Sequence, residues 1–159
     1  MKYTRFEDLP VWKDAIELAV RTFALTAKPC FRGHGGLRNQ LENAVVSISN
    51  NVAEGFERGT SQELLTFIYI SRGSAGETRS MYCLIEQLPQ FRDFKSEVSD
   101  LKLKAESISR QLRAWADSRQ NTDIRGTCYL TDKSRRFEKQ SRERQEFLLE
   151  LDQIRNRQV

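Results

Sequence analysis

The sequence predicts an all-α protein: an antiparallel up-down four-helix bundle over residues 1–120, then a linker and a basic helical extension over 121–159. Three observations carry this. Apolar residues recur at spacings of three and four in four successive segments of similar length. Glycine, proline and capping residues fall between those segments rather than at random. With only three prolines and few runs of strand type, the chain has little that would build a sheet.

The first helix is expected over residues 8–27. Trp12, Ala15, Ile16, Ala19, Val20 and Phe23 share one face and form the expected core stripe. Asp8 can cap the start, Pro10 suits a first turn, and Lys28-Pro29 closes the helix. The connector "CFRGHGG" follows.

A second helix is expected from about 36 to 57. Leu37, Leu41, Val45, Ile48 and Val52 make its apolar stripe, flanked by a small and polar one of Gln40, Ala44, Ser47, Asn51 and Glu54. Gly55 and Gly59 bracket the expected stop. Thr60 or Ser61 is then the next N-cap, with Glu63 in the first turn.

The third segment poses a conflict. "SRGSAGE", residues 71–77, has the composition of a loop, yet its flanks are apolar enough for a core. Ile68, Ser71, Ala75, Thr78, Tyr82 and Ile85 keep a 3-4-3-4-3 spacing straight through it. A turn would interrupt that repeat, so one helix over 61–88 is predicted. Gly73 and Gly76 then cost about 1 kcal/mol each. The expected compensation is a close approach by a neighbouring helix at this waist.

The fourth helix is the plainest. Val98, Leu101, Ala105, Ile108, Leu112 and Trp115 form a heptad seam, preceded by the connection "PQFRDFKSE" with Ser96 as cap. Beyond it, residues 132–157 lack Gly and Pro, and Lys133 to Arg144 holds six basic residues against two acidic ones. A weakly amphipathic charged helix is expected there.

Composition narrows the function. At 159 residues the chain fits one domain with an appendage. No stretch has the length and apolarity of a membrane span, and the N-terminus lacks a signal-peptide core, so a cytoplasmic address is expected. Three scattered cysteines give neither a disulfide framework nor a metal knuckle. A net charge of +4 permits polyanion binding without demanding it.

Catalytic signals are missing. His34 is the single histidine and sits in a glycine-rich connector, where a flexible turn outweighs an anion site. Glu-x-x-His pairs, G-x-S-x-G, a P-loop and zinc spacings do not occur. Glu54 and Glu77 could be weighed as an acid/base pair. Without a metal or histidine beside them, a structural role is favoured: accepting bonds from Asn51, Ser47, Ser74 or an arginine and fixing the register of helices two and three. No enzyme activity, cofactor or metal is expected.

The motif residues also carry a resemblance. Phe6, Leu9 and Trp12, then Gln40, Ser47, Ile48, Asn51 and Ala53-Glu54-Gly55, then Arg58, Ser61, Glu63, Gly73-Ser74 and Glu77 resemble a family of four-helix bundles. It is the family encoded in intervening sequences of bacterial large-subunit ribosomal RNA genes. The accessory variability proteins of diversity-generating retroelements look like a remote branch. The resemblance spans about residues 4–118. It implies a homopentamer without known catalysis and, for the retroelement branch, binding to nucleic acid and to a reverse transcriptase. Where the family commonly has a basic pair after the helix-two glutamine, this chain has Glu42 and Asn43. Residues 120–159 exceed the usual family length.

The expected function is therefore a non-enzymatic, oligomeric nucleic-acid-binding accessory protein, acting on structured RNA or beside a reverse transcriptase. The alternative is a protein-only assembly scaffold. Candidate phosphate contacts are Lys28, Arg32, Arg110 and Arg113 from the bundle and Lys133, Arg135, Arg136, Lys139 and Arg142 from the tail. Phe6 and Phe56 are expected to be exposed near the bundle ends and available for self-assembly into a ring.

Overall fold

A computed structural model describes residues 3–120 of the chain. The expected C-terminal helix, and with it Lys133, Arg135, Arg136, Lys139 and Arg142, lies outside the described residues. These form four long helices and three 3-10 turns, with no strand among them. The helices are α1 (Pro10–Thr26), α2 (Gly35–Glu57), α3 (Ser61–Gln87) and α4 (Lys95–Gln120). Each packs on its neighbour in sequence, and α1 also packs on α4.

Pro10 occupies the first turn of α1, where its missing N–H costs nothing. Asp8 is not the cap. It ends a preceding 3-10 turn, Phe6–Asp8, and Leu9 takes the cap position without a side-chain bond. The buried face of α1 is Val11, Ala15, Leu18, Ala19, Thr22, Leu25 and Thr26. Val20 and Phe23, expected in the core, are 65% and 44% exposed. The apolar stripe of α1 is wider than the interior it covers, so its flank faces solvent.

Helix α2 buries Leu41, Val45, Ile48 and Val52 as its stripe requires, with Leu37 half-buried at the start. Gly55 does not stop the helix. It is buried two residues inside the end, and a Cβ there would come within 2.6 Å of the Phe67 Cβ. Only a hydrogen fits between these two backbones. The stop comes at Arg58 and Gly59, after which the Thr60 hydroxyl caps α3 by accepting from the Glu63 N–H at 3.2 Å.

Helix α3 runs unbroken through "SRGSAGE", and all six seam residues from Ile68 to Ile85 are buried. The reason expected for the glycines is wrong, however. A Cβ on Gly73 or Gly76 would meet nothing within 4 Å, because both face outward. The close crossing of α2 and α3 is at Gly55 instead. Helix α4 buries Val98, Leu101, Ala105, Ile108 and Leu112, with Trp115 half-buried. It starts at Lys95, which leaves Ser96 inside its first turn rather than at a cap.

Two polar contacts pin the interior. The Tyr82 hydroxyl lies 2.5 Å from Thr22 Oγ1, which itself donates to the Leu18 carbonyl, so the buried phenol has a partner. Ser71 donates to the Ile48 carbonyl at 2.8 Å across α2 and α3. At the chain's start Phe6 and Phe56 are not free surface. Phe56 is buried, and the Phe6 ring packs edge-on against both Phe56 and Trp12, sealing that end of the core.

Candidate nucleic-acid interface

Two connectors meet at the end of the molecule where α1 finishes and α4 begins. Each contains the sequence Pro-x-Phe-Arg: Pro29 to Arg32 and Pro89 to Arg92. In each the proline opens a 3-10 turn and the phenylalanine is buried. The two rings pack together, with Phe31 and Phe91 centroids 4.7 Å apart. The His34 ring sits 5.9 Å from Phe91, and its Nε2 lies 3.3 Å from Gln90 Nε2. Gly33, at φ 82, supplies the left-handed residue that turns the chain into α2.

The packed phenylalanine rings, tilted 57° to each other, hold Arg32 and Arg92 at the same end, and Lys95 follows at the first residue of α4. All three are exposed, and none makes an ion pair among the described residues. Lys28 is nearby but committed: it bonds Glu97 and lies over the Phe94 ring, 4.5 Å from its centroid. Burial pushes the Cys30 thiol up, against smaller opposing effects that include Lys28, so this end holds no activated thiolate.

The other bundle candidates are elsewhere. Gln111 bonds Asp14 near the start of α1, whereas Glu97 meets Lys28 beyond its end. Arg110 and Arg113 therefore belong to the opposite end from Arg32. Each also faces a carboxylate one turn away: Arg110 lies 2.7 Å from Glu106 and Arg113 lies 3.7 Å from Asp117. The four candidates thus do not form one surface. Arg92 and Lys95, which in the sequence belong to the connection before α4, lie at the end that Arg32 occupies. The repeated Pro-x-Phe-Arg was the signal for it.

The small-polar residues of α2 and α3 do form one constellation. Asn51 donates to the Ser47 carbonyl at 2.7 Å and lies 2.9 Å from its hydroxyl, and the Ser74 hydroxyl donates to Ser47 Oγ at 3.0 Å. These bonds, with the Gly55 contact, set the register of the two helices. Glu54 stands beside it and pairs with Arg58, the residue that caps the end of α2; Arg58 in turn lies 3.9 Å from Glu63 and over the Phe67 ring of α3. Glu77 is exposed and has no partner among the described residues, and Gln40 is exposed as well. The expected arginine partner is present for Glu54, whereas no such bond ties Glu77 to α2 among the described residues.

No group of side chains that could hold a metal ion occurs among the described residues. No helix among them is long and apolar enough to cross a membrane. What this end offers chemically is a set of open cationic donors suited to phosphate oxygens.

A comparison with curated proteins finds no match. The family model for the 23S rRNA-intervening sequence protein matches residues 7–114, which takes in all of α1, α2 and α3 and most of α4. With more than two thirds of its length matched by that model, the chain belongs to the 23S rRNA-intervening sequence protein family.

Proposed function

We propose that the chain is a non-enzymatic, homo-oligomeric RNA-binding accessory protein of the cytoplasm that grips phosphates through Arg32, Arg92 and Lys95. One observation carries this reading. Residues 3–120 hold sixteen basic and fifteen acidic side chains, so the helical body is nearly neutral, yet two connectors bring three exposed cations without carboxylate partners to one end. Contacts of this kind go to the backbone of a nucleic acid and read no sequence. The family's ribosomal RNA context makes structured RNA the first substrate to test. Service beside a reverse transcriptase is the narrower form of the same proposal.

The four helices form an antiparallel up-down bundle in this reading. Asp14 meets Gln111 while Lys28 meets Glu97, and Ser47 meets Ser74 while Gly55 approaches Phe67, so both helix pairs run in opposite senses. Self-assembly, as the pentamer that the family resemblance implies, would repeat the cationic end once per subunit. A weak site per chain then becomes a strong one by avidity.

The test is a titration of fluorescent structured RNA at two salt concentrations. The wild-type chain should bind at low salt. The triple reversal Arg32→Glu, Arg92→Glu, Lys95→Glu should bind at least tenfold more weakly and lower the salt slope by about two to three, near one unit per contact. A wild type that binds no RNA at low salt would leave the protein-only scaffold, which the near-neutral body favours.

A further inference from the structure

Two of the helices carry a second heptad seam on their outer faces. On α3 it is Ile70, Gly73, Glu77, Ser80 and Leu84, spaced 3-4-3-4 and exposed throughout. On α1 it is Lys13, Ile16, Val20, Phe23 and Ala27, spaced 3-4-3-4, exposed except for half-buried Ile16. Nothing in the packing of the described residues calls for either pattern. Val20 and Leu84 are 65% and 50% exposed, and Gly73 and Gly76 face open space in the middle of a helix, where glycine is costly.

The seams complement each other. The α1 seam is bulky at its centre, with Ile16, Val20 and Phe23; the α3 seam is small on either side of its central Glu77, at Gly73 and Ser80, with Gly76 beside it. Lys13 and Glu77 are exposed, opposite in charge, and without a partner among the described residues. Their levels agree too. The Thr22–Tyr82 bond places α1 and α3 residues sixty apart at one height. Val20 is then level with Ser80 and Ile16 with Gly76. Lys13 is four residues, or about 6 Å, from the level of Glu77, within a lysine's reach. A rotation about an axis parallel to the helices preserves those heights between copies.

We propose that the outer seam of α1 in one copy packs against the outer seam of α3 in the next, with Lys13 paired to Glu77 across the contact. The two seams are on different helices that are not principal packing partners. The interface is therefore heterologous, and rotation about an axis parallel to the helices, with no rise between copies, closes it into a ring where the angle divides a full turn. The close approach that repays Gly73 and Gly76 is made by another subunit. This deepens the homo-oligomer reading above and names its surface.

Two measurements separate this inference from the reading it rests on. Light scattering of the wild type tests self-assembly alone; a monomer at tens of micromolar overturns both. Cysteine cross-linking tests the surface. With Cys30, Cys83 and Cys128 replaced by serine, the double variant Val20→Cys, Ser80→Cys should give a ladder of covalent oligomers on mild oxidation. Each single variant should stay one chain long. An oligomer whose double variant does not cross-link, or whose singles cross-link as well as the double, overturns the surface while self-assembly stands. Charge exchange gives an independent readout: Lys13→Glu and Glu77→Lys should each dissociate the assembly, and the two together should restore it. Failure of the double exchange to restore it also counts against the pairing.

Discussion

The two sides of α3 set opposite demands on the same helix. Toward α2 and the core, Gly55 of the neighbouring helix leaves room for no atom larger than hydrogen, and a Cβ there would come within 2.6 Å of Phe67. On the outer side Gly73 and Gly76 leave space that nothing among the described residues fills. Glycine in a helix thus has two meanings here. At Gly55 it is required by a backbone approach inside the subunit. At Gly73 and Gly76 no contact among the described residues requires it, and its cost of about 1 kcal/mol per site stands uncompensated among them.

The strongest way to break that contrast is substitution at Gly55. The atom in the way is the Cβ of Phe67, which cannot rotate aside, so any side chain forces α2 and α3 apart. Gly55→Leu should cost about 3 kcal/mol, at the upper end of overpacking penalties. Urea denaturation measures it, and an unchanged midpoint would mean that the two helices do not meet there.

A comparable loss should come from alkali, chiefly through Tyr82 of the inner seam. Burial pushes the Tyr82 phenol up to about 12, although its bond with Thr22 works the other way. Because the folded value lies above the unfolded one near 10, the neutral phenol contributes fully below about pH 10. That contribution fades as pH rises toward 12, to a total on the order of 2–3 kcal/mol. Lys104 adds a loss of the same sign: desolvation lowers its pKa, but bonds to Glu17 and Asp14 outweigh that and leave it raised. Tyr82→Phe should flatten the part of the alkaline limb between pH 10 and 12 that the phenol supplies. A steep limb of unchanged size in that variant would assign the loss to lysines instead.

On the outer side the sign reverses. Gly73→Ala should stabilise the individual chain by up to about 1 kcal/mol, since alanine relieves the backbone entropy and meets no neighbour. Denaturation at the lowest workable concentration reads the chain; denaturation at high concentration adds the assembly. A destabilised chain at low concentration would place Gly73 in an intramolecular crossing after all.

Much of this was legible in the chain's periodicity. The inner seam of α3 predicted one helix through a loop-like composition, because a heptad that survives two glycines outweighs their local preference. Periodicity reports that a face is apolar and cannot report what covers it. Val20 and Phe23 continue the stripe of α1 and by periodicity belong to the core, although the other described helices leave them 65% and 44% exposed. The same limit applies to the basic end. Arg92 reaches the end that Arg32 occupies only when Phe91 packs on Phe31, a contact between residues sixty apart that no local rule foresees. The repeated Pro-x-Phe-Arg was visible in both connectors, and its meaning was tertiary.

The smallest effects should come from Arg110 and Arg113, and they sharpen the comparison between paired and open cations. Both are exposed and both have a carboxylate one turn away, Glu106 and Asp117. Surface pairs at this spacing contribute a few tenths of a kcal/mol. Arg110→Ala with Arg113→Ala should therefore shift stability by less than about 1 kcal/mol. The effect on RNA affinity should be small for a related reason. To contact a phosphate, each arginine must first loosen a bond to a carboxylate, whose repelling charge then remains beside the site. Arg32 and Arg92 carry no such burden among the described residues. Replacing that pair with alanine should weaken binding several-fold more than replacing Arg110 and Arg113, and only the former should clearly flatten the salt dependence. Equal losses from the two double variants would mean that both ends touch the nucleic acid, and the cationic end formed by the two connectors would lose its special standing.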